Sequence, residues 1–206
     1  MAPAAMPSDD RHGDPTGAPA DGVEDPLRAR LRALTWPAHK DLDRHPVLAP
    51  LVRRELAEQD YGRALAALHG PQQALETLLR GYAPEALLPA RLGDLERDLA
   101  DLGLSPIPLG FRWPDMPDDE ARLGALYVIE GSNMGGTFIA RTLAQSGAAH
   151  CPRSFFANAG GPGRWQRFWS FAGPRLTPEN LPRVAAAAVE VFRHYARHLD
   201  ACAPPG

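Results

Sequence analysis

The stretch Tyr127-Val128-Ile129-Glu130-Gly131-Ser132-Asn133-Met134-Gly135-Gly136-Thr137-Phe138-Ile139 puts three glycines within six positions of a segment that otherwise repeats apolar residues at helical spacing. A glycine in a helix interior costs about 1 kcal/mol relative to alanine, so the cluster costs about 2–3 kcal/mol of local helix stability. Glycine belongs where a chain bends or where another group must approach the main chain. At about 100° per residue, Gly124, Gly131, Gly135 and Thr142 share one stripe, with Val128 and Phe138 beside it. Two readings fit that stripe: close packing against another helix, or a flat ligand lying on bare backbone. Gly136 falls off the stripe and predicts a bend.

The rest of the chain is compatible with one helical domain. Its 206 residues suffice for a core without staples, and 44% apolar content is globular. A formal net charge of −3 argues against nucleic acid or an anionic membrane as partner. Cys151 and Cys202 have no metal-like spacing and form no disulfide framework, which fits the reducing cytoplasm. Residues 1–26, rich in Ala, Pro, Gly and Asp, read as a disordered tail without the apolar middle of a secretory signal. No apolar run is long enough to span a membrane.

Residues 27–201 read as an all-α bundle of about six helices, followed by a short tail at 202–206. Leu27, Leu31, Leu34, Ala38 and Leu42 mark the first helix, where Pro37 predicts a kink or irregular turn. A helix over 57–80 carries Gly70-Pro71, which predicts a second kink or break. Leu92, Leu95, Leu99 and Leu102 mark a shorter helix ending at Gly103. A proline-rich loop over 105–117 leads to the glycine-bearing helix, 118–145, with three carboxylates at its start. Residues 147–162 read as irregular. Trp165, Phe168 and Trp169 give a short aromatic helix, and Thr177-Pro178-Glu179 starts the last one.

Of seven histidines, His12 lies in the tail, His45 at a turn, His69 near the surface and His150 in a loop. His194 and His198, four apart, read as a solvated face with Arg193 and Arg197; a zinc-protease pattern would need Glu where Tyr195 stands. His39 lies on the flank of the first leucine stripe, with Thr35 and Arg32 one and two turns earlier. A neutral imidazole at such an edge is either hydrogen-bonded in place or a ligand for iron, and a guanidinium two turns away suits an acidic group on the same ligand.

Together, Leu31-Arg32-Ala33-Leu34-Thr35-Trp36-Pro37-Ala38-His39 and Tyr127-Val128-Ile129-Glu130-Gly131-Ser132-Asn133-Met134-Gly135-Gly136 resemble the proximal and distal helices of heme oxygenases. The form is most similar to the bacterial, biliverdin-producing enzymes, including those that serve bacteriophytochromes. The resemblance covers roughly residues 27–200. It implies that His39 is the axial iron ligand, that Gly131, Gly135 and Gly136 let heme and oxygen lie against the distal helix, that Arg32 pairs with a propionate, and that Phe192 is an aromatic wall. Many members carry Asp directly after the first distal glycine; here Ser132 stands there, as in the phytochrome-associated branch, and the resemblance gives it the ordering of water for proton delivery. Arg167 is a further candidate for a propionate, while Ser170 occupies a place where a basic residue is expected.

The chemistry implied is heme cleavage to biliverdin, carbon monoxide and iron, with heme as both substrate and cofactor. Gly131, Ser132 and Gly135 form the catalytic face. Electrons come from an external donor (a reductase, a ferredoxin or ascorbate), because the sequence carries no flavin or dinucleotide fingerprint. The alternative is a non-catalytic heme carrier or sensor on the same fold.

Overall fold

Four of the protein's helices start where a carboxylate collects backbone N–H groups that a first turn leaves unpaired. In the computed structural model, which describes residues 25–84, 87, 91–159 and 163–203, α1 (Pro26–Asp43) is capped by the Asp25 carboxylate, which accepts from the Leu27 N–H at 2.8 Å. The last two residues of the expected tail therefore open the first helix; residues 1–24, His12 included, lie outside the described residues. α2 runs Glu58–Leu79 and α3 Leu92–Asp101. Glu76 of α2 starts α3 by accepting from the Arg91 and Leu92 N–H groups at 2.8 and 2.9 Å. α4 (Asp119–Leu143), the glycine-bearing helix, is capped by Asp118. α6 is Arg164–Ala172 and α7 is Leu181–Cys202. Among the described residues there is no strand.

One helix was not expected. Residues Ser154–Ala157 form a single turn, α5, inside the segment read as irregular. Its cap comes from far away in sequence: the fully buried Asp98 carboxylate accepts from the Ser154 and Phe155 N–H groups at 3.0 and 2.8 Å. A four-residue turn with so distant a cap leaves no periodic signal.

Neither helix-interior proline ends its helix, and the two are accommodated differently. Pro37 frees the Ala33 carbonyl, and both residues lie on the exposed side of α1, open to solvent. Pro71 frees the Ala67 carbonyl in the interior, where both residues are buried. There the buried His198 imidazole of α7 interacts with the Ala67 backbone. The proline-rich loop supports the same turn: the Ile107 N–H donates to the Ala66 carbonyl at 3.0 Å, and a Cβ on Gly70 would meet the Leu109 nitrogen at 3.0 Å. His198 thus belongs to the core, not to the solvated face expected of it, and His194 is half-buried against Phe111 and Trp113. His69, expected near the surface, is also buried, 3.2 Å from Glu96. Helical spacing shows which residues share a face but not that a loop will cover it.

Two apolar clusters fill the bundle. One joins α4, α6 and α7 through Leu126, Ile129, Phe168, Trp169 and Phe192. The other joins α2, α3 and α5 through Tyr61, Leu65, Leu95, Phe155 and Phe156. α7 contributes to both and lies between them.

Burial, opposed by the Ala67 interaction, holds the His198 pKa below the usual histidine value. The unfolded chain therefore binds a proton more readily at this site, and stability is lost as pH falls below about 6.5. We expect the urea midpoint to drop between pH 7.5 and 5.5, and to drop less in His198→Gln, which cannot titrate. Equal slopes in both proteins would contradict this assignment.

Candidate functional site

α1 and α4 both lie against α7, and side-chain pairings give their directions. His39 meets Phe192 and His45 Nε2 lies 3.2 Å from Asp200 Oδ1, so α1 runs parallel to α7. Glu120 pairs with Arg183, and Gly124 lies against Val184 and Ala188, so α4 runs the same way. The two helices are linked to one another where Thr35 Oγ1 meets Tyr127 Oη at 3.4 Å. One turn further along each are His39 and Gly131. Parallel helices joined at Thr35 and Tyr127 thus bring His39 and Gly131 to one level along α7.

The glycine stripe divides into two parts. Gly124 is a packing residue: a Cβ there would lie 2.6 Å from the Val184 carbonyl oxygen, 2.8 Å from the Ala188 nitrogen and 2.9 Å from the Ala187 Cβ. At Gly131 and Gly135 an added Cβ would meet nothing within 4 Å. The packing reading of the stripe therefore holds at Gly124. The bare backbone at 131 and 135 fronts open space, which packing does not explain.

Gly136, expected beside them at a ligand, faces the other way. It is buried, and a Cβ there would lie 2.8 Å from the Ala159 Cβ and 3.7 Å from Arg91 Nη2. Its missing side chain admits the segment after α5. The helix assignment also continues unbroken through it, so the bend it predicted does not interrupt α4.

His39 is about one-third exposed. Its ring is stacked on Trp36, 5.4 Å away and 14° from parallel, and meets Phe192 edge-on at 5.6 Å. Nδ1 lies 3.0 Å from Asp43 Oδ2, one turn on. A neutral imidazole with an unprotonated ring nitrogen is the form that binds a metal. Asp43 was missed in the sequence, although the spacing of four residues on a helix was the available signal. Arg32 is half-buried on the same flank of α1. Ser132 is exposed, next to the bare face, and its hydroxyl donates to the Ile129 carbonyl at 2.8 Å, leaving oxygen lone pairs to accept. On α6, Arg167 and Ser170 are exposed, and the Ser170 hydroxyl donates to the Gln166 carbonyl.

An imidazole on α1 and side-chain-free backbone at Gly131 and Gly135 of α4 thus stand at one level. Phe138, half exposed, continues the bare face, and Trp36 borders His39. A flat, largely apolar molecule carrying a metal at its centre fits this donor set.

No family model matches the chain. A heme oxygenase of Xanthomonas campestris pv. campestris is 36% identical over 118 residues, which are 56% of this chain and 70% of that protein. The crystal structure of the NO- and CO-bound heme oxygenase from Neisseria meningitidis superposes with a TM-score of 0.64 at 24% identity, covering 85% of this chain and 91% of that one. The second comparison shows a shared all-helical fold.

The division of the stripe has opposite consequences for stability. Gly135→Ala adds a methyl group in open space and removes a helix penalty, so it should stabilise by about 0.5–1 kcal/mol. Gly124→Ala forces a methyl group into the α7 backbone and should destabilise by about 1–3 kcal/mol. Thermal melts of both variants at one pH check the pair of signs.

Proposed function

The chain belongs to the heme oxygenase family, and on that premise we propose that the gap between His39 and Gly131–Gly135 holds heme, which the protein cleaves with oxygen and reductant to biliverdin, carbon monoxide and iron. The observation that carries this reading is the open space over Gly131 and Gly135 at the level of His39.

Bound heme supplies the redox and oxygen chemistry itself; the protein supplies binding, orientation and proton supply. His39 would hold the iron through a ring nitrogen, with Asp43 3.0 Å from Nδ1 and Phe192 and Trp36 against the ring. A neutral imidazole donates less strongly than a thiolate, which would push toward oxygen–oxygen cleavage. Gly131 and Gly135 keep side chains away from the opposite face, so a small ligand must lie along the α4 backbone. Ser132 accepts hydrogen bonds from water at the edge of that face and organises the proton supply, in the place where many relatives carry Asp. Arg32 pairs with a propionate. Gly136 contributes through packing.

Electrons arrive from a separate reductase, ferredoxin or ascorbate. We place the reaction in the cytoplasm, with a bacteriophytochrome as acceptor of the biliverdin. No helix among the described residues is long and apolar enough to cross a membrane.

Purified protein mixed with hemin should develop a Soret band that His39→Ala loses. Ascorbate or a ferredoxin system should then convert the complex to a biliverdin spectrum. A complex that persists unbleached under reductant and oxygen would make the protein a carrier instead. Asp43→Asn should weaken hemin binding or turnover by about tenfold. Gly135→Leu should retain the helical circular dichroism while losing turnover; an unchanged rate would contradict the placement of heme on this face.

A further inference from the structure

Behind the bare face of α4 lies a buried polar cluster that the proposed chemistry does not use. From it we infer that the Glu130–Arg164 ion pair is a positioning device, fixing the backbone of residues 131–136 from the rear so that the opposite face holds its place over the ligand. The inference rests on the heme reading for its purpose and on geometry alone for its mechanics.

Glu130 directly precedes Gly131 and is 1% exposed. Its carboxylate accepts from Arg164 Nε at 2.8 Å and Nη2 at 2.5 Å, a two-pronged contact that fixes both separation and plane. Arg164 is itself anchored: Nη2 also donates to the Leu87 carbonyl at 2.9 Å, and the residue opens α6 immediately after Gly163, whose φ of +74° turns the chain into that helix. One turn along the rear face, buried Asn133 donates to Glu130 Oε1 at 3.4 Å and accepts from Arg91. Arg91 in turn donates to the Phe155 carbonyl at 2.6 Å. The rear of the glycine segment is therefore tied to α6, to residue 87 and to the α3–α5 region.

The front of the same segment has no such contacts at Gly131 and Gly135. A glycine-rich backbone has the widest choice of conformations, so an unheld segment would wander. A buried ion pair adds little net stability over a well-packed apolar pair of similar volume, whereas its directional bonds specify one arrangement. The fork of Arg164 on the residue next to Gly131 suits placement better than it suits stability.

The test separates those two roles. The double variant Glu130→Leu/Arg164→Met replaces the pair with apolar side chains, and Glu130→Gln removes the charge at constant size. Amide hydrogen exchange is followed in the heme-free proteins, with α2 peptides as internal control. We expect a cooperative melt close to wild type for the double variant, while amides of residues 131–136 exchange at least about tenfold faster and α2 is unchanged. Glu130→Gln should give the same local acceleration in smaller degree, and it keeps the test decisive if the double variant does not fold. Unchanged exchange at 131–136 in the folded variants, or acceleration spread evenly over all helices, would overturn the inference. Hemin titration of the same samples should show weaker binding by the variants. A wild-type protein that takes up no hemin would remove the heme reading, while the exchange rates still decide whether the pair positions α4.

Discussion

The backbones of α4 and α7 touch at Gly124. With an added Cβ placed 2.6 Å from the Val184 carbonyl, no other residue type permits this approach without displacing a helix. The contact sets how α4 lies on α7, and α1 lies on α7 as well, with His39 against Phe192. α7 is therefore the common floor from which both walls of the gap rise. The Thr35–Tyr127 contact ties the walls one turn below the site. Everything that the two walls present to each other depends on these three anchor points.

The glycines of α4 act in three distinct ways although they look alike in sequence. Gly124 admits the α7 backbone, Gly136 admits Ala159, and Gly131 and Gly135 admit nothing within the protein. The conformational freedom this introduces is offset on the rear face by Glu130 and Asn133, both 1% exposed and bonded to arginines. A helix weakened on one side is held on the other by directional, charge-assisted hydrogen bonds.

Much of this was legible beforehand, for reasons that differ by element. Long helices such as α4 and α7 carry many periods of apolar repetition, and the capping carboxylates of α4 stand next to it in sequence. His39 and Gly131 were legible because local spacing placed each on a definite face. The burial of His198 was not, because its cause lies 127 residues away, at Pro71 in another helix. Pro37 and Pro71 show the limit of a local rule: each frees one carbonyl, at an exposed turn in α1 and in the interior beside His198 in α2. Gly136 was set off the stripe by the wheel and put at the ligand only by the resemblance, and it packs against Ala159. Asp43 could have been found from its spacing to His39, whereas the Arg164 partner of Glu130, 34 residues on and across a turn, could not.

Phe138, 52% exposed, and Trp36, 37% exposed, border the gap. In the unliganded protein these rings present apolar surface to water on both sides of a bare backbone, an arrangement that soluble proteins usually keep small because it promotes sticking to other surfaces. Heme held as proposed between His39 and Gly131–Gly135 would cover part of that surface, so its binding would bear on how readily the protein sticks to other surfaces as well as on its chemistry.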